Sequence, residues 1–229
     1  VIPYPPVRQR LGLVTLLLAL VTVGARAQGT TDDAAALARA LQQHYETVRD
    51  FTADFVHTYR GGVLRKTITE RGTLKVKKPG LMRWTYTAPD EKVFVSDGRK
   101  MYSYLPADRQ VYVSTVPQES RASTPALFLA GKGNLLRDFT VTSVPVPEGA
   151  PAGSVALRLD PKRPERDYDW LILVVDRESL VLRMLVTEDQ QGGRSTFTFT
   201  NLRENAGVSD STFVFKMPRG VDVVTDTPQ

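Results

Sequence analysis

The 229-residue chain has no cysteine. That excludes a disulfide scaffold, a thiolate metal site, thiol catalysis and a lipid anchored through an N-terminal Cys. Its two histidines, His44 and His57, are too few to build a His-rich transition-metal centre. Sixteen Gly and fifteen Pro are too few for a fibrous protein, and 41% hydrophobic residues is too apolar for a disordered one. The sequence carries no G-x-S-x-G, no P-loop, no G-x-G-x-x-G and no H-E-x-x-H. Gly131-Lys132-Gly133 follows a helical rather than a strand pattern, so it does not qualify as a phosphate loop. No repeat of 20–50 residues is present. Neither a cofactor nor a metal is expected, and the absences weigh against an enzyme.

What is there begins with a leader. Arg8 and Arg10 precede an apolar run from Leu11 to Gly24, and Ala25-Arg26-Ala27 forms an A-x-A cleavage site before Gln28. The run is short of the roughly 20 residues that a spanning helix needs, so a signal peptide over 1–27 is favoured over an uncleaved anchor. The formal charge of +5 shrinks with it. Arg8, Arg10 and Arg26 leave, so 30 basic residues become 27 against 25 acids, or +2 over residues 28–229. A nearly neutral exported chain is not a nucleic-acid binder, and a cysteine-free exported chain suits a periplasm. One domain is expected over 28–229.

Residues 31–49 read as an amphipathic helix with Thr31 as N-cap; Leu37, Leu41, Tyr45 and Val48 share a face, and Asp50 ends it. The period then becomes two. Phe51, Ala53, Phe55, His57 and Tyr59 form one mostly aromatic face of a strand, and Met82, Trp84 and Tyr86 one face of another. An Asp97-Gly98 turn makes a hairpin of the strands around it. Further strands are expected near 66–77, 110–115, 138–144, 154–160, 168–175, 180–187, 194–201 and 212–215. Ser123-Thr124-Pro125 starts a short helix through Leu127, Phe128 and Leu129 that is apolar on every side. Short connections predict antiparallel neighbours throughout. The fold class is therefore mainly β with helices (α+β): an incomplete, strongly curved antiparallel β-barrel, two helices packing into or over its concave face. Those helices either complete a core or lid an apolar cavity, and periodicity alone does not choose. His44 reads as solvated and His57 as packed, so a Ser-His-Asp triad is not expected.

Lys75-Val76-Lys77-Lys78-Pro79-Gly80-Leu81-Met82-Arg83-Trp84 resembles the signature of the LolA family of periplasmic lipoprotein carriers. Ala88-Pro89-Asp90-Glu91, Val95-Ser96-Asp97-Gly98-Arg99, Thr124-Pro125 and Phe213-Val214-Phe215-Lys216-Met217-Pro218 follow in the family's order. The resemblance spans about 30–224. It implies an unclosed barrel with a helical lid over a cavity lined by Leu41, Tyr45, Phe51, Phe55, Met82, Trp84, Tyr86, Leu127, Phe128 and Leu129. It implies acylated lipoproteins as cargo, an inner-membrane ABC transporter complex as donor and an outer-membrane lipoprotein receptor as acceptor. A monomer is expected. In the family a basic residue before the Pro ties the lid to the barrel. Here that residue is Lys78 where Arg is familiar, with Arg83 as a second contributor to the latch. Met82 stands where the family often has Phe. Two other classes remain open: a periplasmic lipid-binding sensor on the same fold, and an enzyme acting on a lipid or glycan in the cavity.

Overall fold

The computed structural model describes residues 28–63, 65–116, 133–165 and 167–225, with side chains from residue 33 onward. The leader over 1–27 and the apolar helix with Leu127, Phe128 and Leu129 lie outside the described residues. Helix α1 (Gln28–Thr47) comes first. Six strands follow: β1 (Asp50–Arg60), β2 (Thr67–Lys77), β3 (Leu81–Ala88), β4 (Lys92–Asp97), β5 (Lys100–Leu105) and β6 (Gln110–Thr115). A one-turn helix, Leu135–Asp138, leads into β7 (Phe139–Val144), β8 (Ser154–Pro161), β9 (Trp170–Asp176), β10 (Leu182–Glu188) and β11 (Arg194–Glu204). The chain then passes through a 3₁₀ turn (Asp210–Phe213) into β12 (Asp222–Thr225).

All twelve strands form one open sheet in the order β12-β6-β5-β4-β3-β2-β1-β11-β10-β9-β8-β7. Two antiparallel meanders, β1–β6 and β7–β11, are thus joined side by side where β1 pairs with β11. Direct cross-strand partners place their side chains on one face. Phe55 stands opposite Phe199 on one side and Gly72 on the other; Trp84 stands opposite Leu74, and Met82 opposite Val76. Gly72 is required at its position. A Cβ there would sit 2.1 Å from the Thr85 carbonyl oxygen and 2.8 Å from the Phe55 ring, which fills the space above the glycine.

Four sequence expectations change. Thr31 is inside α1 rather than its cap, because the helix starts at Gln28. Asp50 opens β1, and α1 already ends at Thr47. The strand expected at 212–215 is the 3₁₀ turn Asp210–Phe213, capped by the Ser209 hydroxyl. The last strand is β12, and it pairs with β6 in parallel, the exception to the antiparallel rule. The reason is the connection. From β11 the chain must cross six strands, roughly 30 Å at 4.8 Å per strand, to reach the far edge. A short turn cannot do this, and a long crossover sets no antiparallel constraint.

The crossing segment is strapped to successive strands. Lys77 Nζ donates to the Val208 carbonyl at 3.0 Å and pairs with Asp210, Arg83 donates to the Thr212 carbonyl at 3.3 Å, and Arg109 to the Gly220 carbonyl at 2.8 Å. Phe215 stacks on Tyr102 with ring centroids 4.9 Å apart. Arg83 alternates with Met82 and Trp84, so the strap runs over the face opposite theirs.

Candidate functional site

The face carrying Phe55 and Trp84 lines a trough, continuous with the buried core. Toward the start of β1 the walls are aliphatic: Leu157, Leu171, Leu173 and Val175 from β8 and β9, with Ala34, Ala38 and Leu41 of α1 against them. Toward the end of β1 they are aromatic. Phe55 meets Trp84 and Tyr86 edge to face, with centroids 5.1 and 4.9 Å apart; Phe197 meets Trp84 at 5.3 Å and lies parallel to Phe199. Such contacts add about 0.5–1.5 kcal/mol per pair beyond area burial. The Trp84 indole N–H is buried in this group without an acceptor among the described residues.

The aliphatic end holds a void of about 30 Å³, bordered by Leu41 and Tyr45 of α1, Phe51, Leu135, Leu173 and Leu182. That is one water's share of liquid volume, far short of a hydrocarbon chain. A wider, more open recess of about 700 Å³ lies beside α1, bordered by Leu37, Val144, Val146, Val155 and Ala156 with Asp33 and Arg177. Helix α1 rests on β7 and on the one-turn helix rather than being threaded between strands. Several polar ties hold its end, including one from the Asn205 amide to the Thr47 carbonyl at 3.5 Å. Lys78 Nζ donates to the Tyr45 carbonyl and sits 3.5 Å above the centre of the Tyr45 ring. His44 meets Glu204 at 3.0 Å. Gln42 accepts from the Leu135 N–H at 3.0 Å. Burial pulls the Lys78 ammonium down to about 8, against the opposing pull of Glu204 and Glu46. Burial likewise raises Tyr45 far above the usual phenol range.

Of the residues expected to line the cavity, Leu41, Phe51, Phe55, Met82, Trp84 and Tyr86 are buried in one cluster, with Tyr45 half-buried against it. Leu127, Phe128 and Leu129 lie outside the described residues. Lys78 reaches the end of α1. Arg83 is on the other face and holds the strap through Thr212, so the geometry does not bring it to the latch.

A group that sequence reasoning missed terminates the aromatic end. His57 Nδ1 lies 3.2 Å from Glu70 Oε2 and its Nε2 3.2 Å from the Ser195 hydroxyl, while its ring stacks on Phe197 at 4.1 Å. Glu70 also pairs with Lys92 at 2.5 Å. Burial lowers the His57 pKa below its ordinary value, opposed by Glu70 and reinforced by Lys92. The order hydroxyl, imidazole, carboxylate is that of a hydrolase triad. Ser195, however, sits on a strand flanked on both sides, facing Tyr59 on β1 and Thr187 on β10. Its backbone lies within the sheet ladders, so it does not present the oxyanion donors that acyl transfer needs. Among the described residues no three of His, Asp and Glu gather to hold a metal.

The profile of the family described as "Outer membrane lipoprotein carrier protein LolA" matches residues 46–216. This chain belongs to the LolA family. LolA-family proteins named outer-membrane lipoprotein carrier protein match most of its length. The one from Hahella chejuensis is 34% identical over 93% of this chain and 99% of that protein. Those from Chromohalobacter salexigens and Pseudomonas fluorescens are each 31% identical, over 87% and 92% of this chain and 90% and 96% of theirs. A crystal structure of an uncharacterised conserved protein from Thermus thermophilus shares the fold, with a TM-score of 0.50 at 12% identity, over 85% of this chain and 99% of that one. The sequence matches carry the family, and the structural match shows only that the open, curved, mainly β fold recurs.

Proposed function

We propose that this LolA-family chain is a periplasmic carrier that sequesters the acyl chains of lipoproteins leaving the inner membrane and delivers them to the outer membrane. The observation that supports the reading is the trough: an apolar floor with a water-sized void under a helix held by a few polar ties. Each buried CH₂ contributes about 0.8 kcal/mol, so one long acyl chain is worth on the order of 10 kcal/mol. A rigid open cavity would hold such a chain too tightly to release it. A trough that closes on itself makes guest and cover compete for the same surface, which lowers net affinity without an energy source in the carrier. The Lys78 clasp on Tyr45 then acts as the latch of the closed state. The mid-chain segment with Leu127, Phe128 and Leu129 serves as the rest of the lid. An ABC transporter complex in the inner membrane supplies the cargo and an outer-membrane receptor takes it. The carrier performs no bond-making step, and His57 serves the fold.

The test is direct. Purified mature protein is incubated with spheroplasts that hold labelled lipoproteins. A soluble complex of carrier and acylated lipoprotein is expected. No solubilised lipoprotein, with the fold intact by circular dichroism, overturns the reading. Leu127→Asp or Phe128→Asp is expected to reduce uptake while leaving the sheet folded; unchanged uptake overturns the lid assignment.

A further inference from the structure

Two hairpin tips meet at the end of the sheet where β1 and β10 finish. The turn between β1 and β2 closes through the Gly61 N–H, which donates to the Lys66 carbonyl at 3.0 Å. Gly62 lies against the turn between β10 and β11 so closely that a Cβ would fall 2.0 Å from the Gln191 carbonyl oxygen. The Tyr59 hydroxyl donates to Asp189 at 3.4 Å. The described residues of the two tips therefore pack against one another.

The surface they present is unusual in two ways. Val63, at its summit, is 84% exposed, the largest exposure among the big apolar side chains described, and Ile68 on the same hairpin is 42% exposed. Around them stand Arg60, Arg65 and Lys66, all exposed and with no acidic partner among the described residues. The acids nearby are engaged. Glu188 pairs with Arg194 at 2.9 Å and accepts from the Trp170 indole, and Asp189 accepts from the Gly193 and Gln191 N–H groups. Arg60, Arg65 and Arg194, with Glu188 held by Arg194, border a shallow basin of about 300 Å³ between the tips.

We propose that the paired tips are a docking surface for an anionic lipid membrane. A summit of one or two apolar side chains is far below the roughly 800 Å² per partner of a stable protein interface. It does suit shallow insertion at a headgroup boundary, where an apolar anchor and a basic rim act together. Each Lys or Arg near an anionic surface strengthens binding about fivefold. The resulting contact is weak and reversible, in keeping with a chain that works between membranes. The inference does not depend on cargo, because the empty protein carries the surface.

The experiment is vesicle flotation of the mature chain without cargo, at about 50 mM and about 500 mM salt, using phosphatidylcholine alone or mixed with one quarter phosphatidylglycerol. Binding to the anionic vesicles at low salt, and its loss at high salt, is expected from screening over roughly 10 Å and less. Arg60→Glu with Arg65→Glu is expected to weaken it at least about 25-fold, and Val63→Asp severalfold. Lys100→Glu, an exposed change at the start of β5 and away from the tips, is expected to have no comparable effect. Absence of binding, equal binding to both vesicle types, or an equal effect of Lys100→Glu overturns the proposal. So does a doubly reversed variant that fails in transfer from spheroplasts when the wild type floats with no vesicle, an outcome that assigns the tips to a protein partner.

Discussion

The two ends of the trough are built from different materials and do different work. At the aliphatic end, Leu, Val and Ala side chains face a helix that lies on the sheet, and a water-sized void remains. At the aromatic end, rings from β1, β3 and β11 lock edge to face, and a half-buried imidazole, a buried carboxylate and a partly exposed ammonium close the group off. Aliphatic side chains hop between rotamers with little directional penalty, whereas interlocked rings and a satisfied polar network have one good arrangement. On the proposed carrier reading, volume for a guest is expected under α1, with the aromatic end as the fixed floor against which it is made.

The comparison is broken most forcefully at Phe55. Phe55→Ala removes the ring that touches Trp84, Tyr86 and Phe197 and that covers Gly72. A loss of about 4 kcal/mol is expected by urea denaturation, with Tm falling by about 10 °C. Cargo uptake per folded molecule is expected to change little. Uptake lost at undiminished stability would reverse the roles of the two ends.

Glu70 tests the closing network. Glu70→Gln leaves the Lys92 ammonium without its counter-charge and weakens the hold on His57, at a cost of about 2 kcal/mol, since Lys92 keeps partial access to water. His57 adds a pH signature. Its folded pKa lies below the unfolded value, so its contribution is complete above the ordinary histidine range and is lost as pH falls through the folded pKa. The groups facing it are Glu70, Lys92, Ser195 and the Tyr86 ring. Wild-type Tm is expected to fall on acidification below about 6.5, and His57→Gln to fall less steeply over the same range.

At the aliphatic end, Lys78→Met removes the clasp on Tyr45. A loss of about 1 kcal/mol is expected, the gain from relieving a buried ammonium offsetting part of the lost charged hydrogen bond. Faster hydrogen exchange at residues 44–47 is expected to accompany it. The sign of the pH effect is opposite to a simple salt bridge. Between about 8 and 10.5 the folded chain has released the Lys78 proton and the unfolded chain keeps it, so this residue makes stability rise with pH there. The variant is expected to flatten that limb.

Much of this architecture is legible in the sequence because period-two alternation is a local signal. Phe51, Phe55, Met82, Trp84 and Tyr86 declare a common face through their own neighbours, and the strands around Ser96-Asp97-Gly98 declare their hairpin. What is not legible depends on register between distant strands. Glu70 sits in a polar stretch, Ser195 in a Thr-rich strand and Lys92 after a turn. Nothing local says that pairing will set Glu70 opposite His57 while Ser195 comes to His57 from β11. The strap misled for a similar reason. Phe213 and Phe215 alternate like strand residues, but the ladder they would need is already occupied, and the chain crosses the sheet instead. Arg83 was legible as a basic residue beside the family motif, yet only the alternation of β3 puts it on the face away from α1.

The smallest expected effect is the sharpest test of where the room lies. Val175 borders the void of about 30 Å³, and Val175→Leu adds one methylene. If the void belongs to a collapsible closed state, the extra carbon fills it and stabilises the empty protein by about 0.8 kcal/mol. A guest must then displace a better-packed cover, so its affinity is expected to fall about fourfold, the same free energy read from the other side. Thermal unfolding and a fluorescent acyl-chain titration, run on the same preparations, read both numbers. The two shifts must be equal and opposite if cover and guest compete for one surface. A stabilised protein with unchanged affinity would place the guest elsewhere in the trough. A destabilised one would show that the walls around the void are as rigid as the aromatic floor.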